Sequence, residues 1–183
     1  MKYFKKLSGR TVYLSPMNIE DAETYISWIN DPKTSDGLGS TGSGAYTLES
    51  ERKWMLEQAG PYQFAIVRLN DNTLLGNCGF NNINQRNQNA EVGIFIGEAE
   101  ERGKGYGTET MELLLEYGFN ELNLNNIMLK AFAFNERAIA CYKKAGFAEF
   151  GRRHQANYIN GAWQDKVYME VLRDEWRSRH AQP

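Results

Sequence analysis

The sequence predicts a mixed α/β protein with a mostly antiparallel central sheet flanked by helices, and three observations lead there. Strand-like apolar runs alternate with segments of helical period along the chain. Turn chemistry between neighbouring β-rich runs, Asn70-Asp71-Asn72 and then Asn160-Gly161, marks antiparallel hairpins. Between them the run Val92-Gly93-Ile94-Phe95-Ile96 leads into Arg102-Gly103-Lys104-Gly105-Tyr106-Gly107-Thr108, which opens a helical pattern from Thr108 to Phe119. The expected order is β-α-α-β-β-β-α-β-α-β-β, a single domain over residues 1–183 with no internal repeat.

The elements follow in turn. Thr11 to Leu14 reads as a short strand. Asn18 is a fitting N-cap with Asp21 at the capping-box position, and Ile19, Ala22, Ile26 and Ile29 recur on one helical face until Asn30-Asp31-Pro32 stops it. Lys33 to Ala45 is rich in Gly and Ser and has no period, which suits either a solvated connector or a substrate lid. Thr47 caps a second helix with Leu48, Met55, Leu56 and Ala59 inward and Gly60-Pro61 at its end. Tyr62 to Leu69 and Leu74 to Phe80 form a hairpin, and the polar tract Asn81 to Asn89 reads as a loop before the strand Ala90 to Ile96. After the glycine turn, Met111, Leu114, Leu115 and Gly118 make the inner face of a helix. A strand from Asn126 to Phe134 and a helix from Glu136 to Ala145 follow, with Gly146 at the left-handed C-cap and Lys143 and Lys144 in the last turn. Glu149 to Ile159 and Ala162 to Leu172 close the chain as a hairpin.

Composition excludes several classes. The chain is 42% hydrophobic and 24% charged, a globular balance, and its net charge of -2 gives no field to recruit nucleic acid or an anionic membrane. No run has the length to span a bilayer, and the segment from Met1 to Lys6 lacks the apolar core of a secretory signal. Cys78 and Cys141 stand in no metal-ligand spacing and read as reduced thiols, so a cytoplasmic location is expected. His154 and His180 are the only histidines, and no metal site is expected.

The glycine-rich turn carries the chemistry. A turn between strand and helix leaves several backbone N–H groups without partners at the positive end of the helix dipole, which suits an anion such as phosphate. A Walker loop is excluded because Lys104 is followed by Gly105, with no hydroxyl for magnesium. The dinucleotide fingerprint is excluded because the spacing is G-x-G-x-G. A third pattern, the R/Q-x-x-G-x-G/A pyrophosphate turn of acyl-CoA enzymes, is met by Arg102, Gly105 and Gly107.

On these residues the chain resembles the GNAT superfamily of acyl-CoA-dependent N-acetyltransferases, in the branch of ribosomal-protein-alanine and spermidine acetyltransferases. The segment from Asn135 to Phe147, NERAIACYKKAGF, is similar to that branch's N-E-x-A-I-x-x-Y-x-K-x-G-F, and the ending from Asn160 to Trp176 resembles its closing hairpin. The likeness is strong over residues 88–176 and in outline before them. It implies a GNAT fold and acetyl-CoA as co-substrate. Phe95, Ile96 and Gly97 would offer backbone groups to the pantetheine and thioester carbonyl. Arg102, Gly103, Lys104, Gly105, Tyr106, Gly107 and Thr108 would hold the pyrophosphate. Asn135 would contact CoA, or serve as an ordinary N-cap, or both. Asn135 and Tyr142 are seven positions apart, about two helical turns, and so share a face.

The resemblance also implies a mechanism of direct transfer to a primary amine. Tyr142 would meet the departing CoA thiolate, and Glu91, at the start of the strand feeding the turn, would serve as base through water, unless it is a plain surface glutamate. A backbone N–H near residues 95–97 would act as oxyanion donor. His154, where this branch often carries Arg, either faces the substrate as a second base or pairs with Asp165. Cys141 lies about 100° around the helix from Tyr142 and is not a nucleophile candidate. The acceptor is open among a protein N-terminus, a polyamine and a small amine. The short acidic run Glu98, Glu100, Glu101 suits a polyamine or a solvated edge. A non-catalytic acyl-CoA-binding module on the same fold is the alternative, and a homodimer through an edge strand is an open expectation.

Overall fold

The computed structural model describes residues 2–38, 44–57 and 59–181, with residue 36 described by its backbone only. Its sheet has eight strands: β1 (Leu7–Ser8), β2 (Val12–Pro16), β3 (Gln63–Arg68), β4 (Leu74–Asn84), β5 (Asn89–Ile96), β6 (Asn126–Phe132), β7 (Ala148–Ile159) and β8 (Ala162–Leu172). The spatial order is β1-β2-β3-β4-β5-β6-β8-β7. Pairing is antiparallel between β1 and β2, β2 and β3, β3 and β4, β6 and β8, and β7 and β8, whereas β5 and β6 form a parallel ladder from Asn89↔Asn126 to Glu91↔Met128. The helices are α1 (Ala22–Asn30), α2 (Pro32–Ser35), α3 (Leu48–Glu57), α4 (Tyr106–Asn120), α5 (Glu136–Ala145) and α6 (Arg173–His180). The mixed, mostly antiparallel architecture is as the patterning predicts.

The chain packs as two compact units, residues 1–79 with 94–110, and residues 80–93 with 111–183. In the first, the core holds Val12, Leu14, Phe64, Ile66 and Leu75 from the strands. A second cluster joins Ala22, Tyr25, Trp28 and Met55, with Phe95 packed against it. The second unit buries Met111, Leu114, Leu115 and Phe119 of α4 together with Ile127, Leu129, Val167, Met169 and Val171 of the strands. Gly118 completes the α4 face expected from the sequence, because a side chain there would meet Ile127 and Phe80.

Several boundaries differ from expectation. The inner ridge of α1 is Ala22–Tyr25–Trp28, whereas Ile26 and Ile29 are half-buried and Ile19 is 36% exposed in a preceding 3-10 turn. Burying large rings removes more apolar surface than burying isoleucines, and the helix rotates to suit. Asn18 caps by accepting from Glu20 N–H at 3.0 Å, but Asp21 does not complete a capping box. It is buried instead, accepting from the Tyr3 hydroxyl at 2.9 Å and from Lys2 at 2.6 Å. Thr47 does cap α3, accepting from Ser50 N–H at 3.1 Å, yet Leu56 is 75% exposed and Ala59 lies beyond the helix. The segment expected to lack structure from residue 33 begins with α2 and a 3-10 turn, Asp36–Leu38, while residues 39–43 lie outside the described set. The polar tract expected as a loop continues β4 to Asn84, because ladder pairing tolerates polar side chains on an exposed face. β6 stops at Phe132, α4 begins at Tyr106, and β1 and α6 are additional elements.

Candidate active site

In the first unit, the exit of β5 and the start of α4 are joined by a braced loop. Gly97 N–H donates to Leu75 O at 2.9 Å, extending the pairing with β4 past the end of the strand. Arg102 reaches back, with Nε donating to Ile96 O at 3.0 Å and Nη2 to Gly97 O at 2.8 Å and Thr34 O at 3.5 Å. The guanidinium expected to face a phosphate is therefore tied to the loop's own carbonyls, and it sets the loop's shape. Lys104 pairs with Glu101 at 3.1 Å.

Gly103 and Gly105 have φ of 80° and 92°, and an added Cβ on either meets nothing within 4 Å. Their requirement is the left-handed backbone, and the space above them is open. The result is a run of backbone donors. Among the described residues, the N–H groups of Gly103, Lys104, Gly105, Tyr106 and Gly107 meet no backbone acceptor, whereas Glu109 N–H closes the first turn on Gly105 O at 3.1 Å. Successive unpaired N–H groups at the N-terminus of a helix as long as α4 form a nest for an anion. Glu109 anchors that helix end by accepting from Arg10 N–H, Thr11 N–H and the Thr11 hydroxyl.

Trp28 supports this exit and was not singled out by sequence reasoning. Its indole packs where a Cβ on Gly97 would lie, it stands edge-on to Phe95 at 6.0 Å, and its Nε1 donates to Glu98 Oε1 at 2.7 Å. Gly76 on β4 was also unflagged. A side chain there would collide with Phe95 O, and the Tyr25 hydroxyl donates to Gly76 O at 3.2 Å. The signal that would have found Trp28 is its i, i+3 spacing from Tyr25 at the end of α1; nothing local marks Gly76.

The second unit holds Glu91, Asn135 and Tyr142. Glu91 faces Lys130 of the neighbouring strand, with Oε2 2.6 Å from Nζ. Asn135 is the N-cap of α5, its Oδ1 accepting from Ala138 N–H at 3.2 Å. Gly146 ends the helix at φ 113°, with its N–H donating to Tyr142 O at 3.0 Å and to Lys143 O at 3.1 Å. Tyr142 is 9% exposed and edge-on to Phe147 at 6.3 Å. Burial, with a smaller contribution from Cys141, pushes its ionisation well above the usual tyrosine range, so the phenol stays protonated. His154 is exposed and pairs with Asp165 at 3.0 Å. Asp165 also accepts from Gln155 N–H at 3.0 Å, and these bonds hold its carboxyl below the ordinary range. Gln155 sits at φ 49° inside an irregular stretch of the β7–β8 ladder, so this pair braces a β-bulge.

A mixed α/β sheet whose fifth strand leads through a glycine-rich turn into a fifteen-residue helix defines the class of fold. The particular family follows from the sequence: residues 11–148 match the acetyltransferase (GNAT) domain, and the chain belongs to that family as an N-acetyltransferase. It is 30% identical over 175 residues to the Bacillus subtilis protein named "Probable N-acetyltransferase YjcK", covering 91% of this chain and 96% of that one. It is 29% identical over 164 residues to spermidine N(1)-acetyltransferase of Vibrio cholerae, covering 88% of each. In three dimensions, the Vibrio cholerae spermidine N-acetyltransferase solved with CoA and spermine superposes with a TM-score of 0.81 at 23% identity, over 91% of this chain and 98% of that one, and so shares the fold. A GNAT-family acetyltransferase from Bacillus anthracis does the same with a TM-score of 0.80 at 20% identity, over 92% and 98%.

Proposed function

We propose that this chain transfers the acetyl group of acetyl-CoA directly to a primary amine. The observation that supports this most is the array of unpartnered N–H groups from Gly103 to Gly107, held by left-handed glycines with open space above them. That array fits a pyrophosphate: it offers donors, positive helix polarity and no obstructing Cβ. Lys104 adds a cation at its rim, while Tyr106 and Thr108 lie in the first turn of α4. Arg102 contributes by fixing the loop.

The remaining roles come from the family resemblance and the local chemistry. Gly97 N–H is committed to Leu75 O, so the oxyanion donor falls to Phe95 or Ile96. Tyr142 keeps its proton, and a hydrogen bond to the departing thiolate fits its raised ionisation better than complete proton transfer to a weaker base. Asn135 spends Oδ1 on the helix cap and presents its amide N–H₂ to the cofactor. Glu91 would accept the amine proton through water, competing with Lys130 for its carboxylate. Because His154 is tied into the bulge with Asp165, it is the weaker candidate for base.

The acceptor class is a primary amine: a small metabolite, a polyamine or a peptide N-terminus, in a cytoplasmic setting. Any homodimer formed by strand pairing would use β7, the twelve-residue edge strand. Two measurements test the reading. CoA or acetyl-CoA at a hundredfold excess over Kd should raise Tm by several degrees, following about 2.7 kcal/mol of linkage. Thiol release from acetyl-CoA across a panel of amines and peptides should identify an acceptor. No thermal shift at saturation refutes the CoA assignment, and binding without turnover on any amine favours the non-catalytic binding module.

A further inference from the structure

One polar cluster in the first unit has no part in the chemistry above. Arg68 ends β3, and its guanidinium grips the following turn, with Nε 3.0 Å from Asp71 Oδ1 and Nη2 2.9 Å from Asp71 Oδ2 and 3.1 Å from Thr73 Oγ1. Its remaining arm leaves the hairpin, with Nη1 donating to Glu101 Oε2 at 3.0 Å. The same carboxylate oxygen accepts from Lys104 Nζ at 3.1 Å. The side chains of Arg68 and Glu101 are 21% and 18% exposed against 49% for Lys104, so the pair forms the inner part of the network and the lysine its rim.

We infer that Arg68 is a positioning residue for the donor-binding loop, acting through Glu101. The inference rests on the reading of that loop as the CoA pyrophosphate site. A guanidinium has fixed donor directions, so the Nη1 arm that Arg68 extends from the hairpin dictates where Glu101 must lie, and Glu101 in turn places Lys104 beside the nest. Electrostatics act in the same sense. An unneutralised Glu101 next to an incoming pyrophosphate would repel it and hold Lys104 back, and Arg68 supplies the compensating charge. Removing Arg68 therefore weakens donor binding only while Glu101 is present. Nothing in the sequence hints at this, because Arg68 lies 33 positions from Glu101, the one at the β3–β4 turn and the other in the loop between β5 and α4.

Calorimetric titration of CoA into the full chain and its variants tests the inference. R68M should raise the Kd for CoA about tenfold, and less than about twofold when made together with E101Q. In turnover with the best amine found, KM for acetyl-CoA should rise in step while KM for the amine stays constant. D71N cuts only the hairpin half of the network and should leave the Kd for CoA within about twofold even where Tm falls. Where R68M does not fold, R68K keeps the charge, loses the fork and carries the same test. Wild-type binding with an unchanged Kd in R68M overturns the inference alone. So does an equal loss in the E101Q background, or a D71N effect as large as that of R68M. Wild-type protein that binds no CoA overturns the functional reading and this inference with it.

Discussion

The Gly97→Ala substitution puts the braced exit of β5 under direct test. The new Cβ would fall on Cδ2, Cε2 and Cε3 of Trp28, inside any real carbon–carbon contact. Neither partner has room to yield. The Gly97 backbone is held by Leu75 O at 2.9 Å on one side and by Arg102 Nη2 at 2.8 Å on its carbonyl. Trp28 is 4% exposed, wedged edge-on between Tyr25 at 5.6 Å and Phe95 at 6.0 Å, and its Nε1 is bonded to Glu98. Overpacking of this kind costs about 1–3 kcal/mol, and losing the indole hydrogen bond adds about 1. The expected destabilisation is about 2–4 kcal/mol, a fall in Tm of roughly 5–15 °C for a domain of this size. Urea or thermal unfolding followed by Trp fluorescence measures it. The double variant with Trp28→Leu removes the ring that the Cβ strikes, so it should be at least about 1.5 kcal/mol more stable than additivity predicts. Gly97→Ala within about 0.5 kcal/mol of wild type, or strict additivity with Trp28→Leu, would refute the packing argument.

Other expectations are equally open to measurement. Tyr142→Phe should lower kcat about a hundredfold while leaving the Kd for CoA within about threefold, and an unchanged kcat removes Tyr142 from the chemistry. The same variant has a signature in stability. Burial raises the ionisation of Tyr142 in the fold, so its contribution is whole below the unfolded value near pH 10 and is lost as pH rises above it. Wild type should therefore lose stability more steeply than Tyr142→Phe above about pH 10, by about 1.4 kcal/mol per pH unit, in alkaline unfolding titrations. Asn135→Ala should cost about 1 kcal/mol of stability through the lost cap, with Asn135→Ser retaining most of it. A rise in KM for acetyl-CoA in Asn135→Ser at preserved stability would show that the amide also meets the cofactor.

The parts of the protein that were legible in the sequence are those governed by neighbours along the chain. The α5 helix ran from Glu136 to Ala145 between Asn135 and Gly146 as predicted, because cap, period and left-handed stop all act within a few residues. The closing hairpin followed from Asn160-Gly161 and two β-rich runs for the same reason. The glycine turn was located and its rival motifs excluded by spacing alone. Its detailed working was less legible. Gly103 and Gly105 take positive φ, which the spacing did not show, and reading Arg102 as a phosphate ligand missed the carbonyls of Ile96 and Gly97 that it binds. The inner face of α1 was misjudged because periodicity assigns a stripe, while the tertiary neighbours decide which residues of it are covered.

The sequence by itself determined the class of fold, the place of the glycine turn and the family. These depend on hydrophobic period, turn residues and the spacing of a motif, all of which are local. Only the tertiary structure decided what each charged group faces: Glu91 a lysine on the next strand, His154 an aspartate across a bulge, Arg68 a glutamate on the loop between β5 and α4. A charge reports its sign in the sequence, but its partner is chosen by strand register and loop closure, and those are settled only when distant segments pack together.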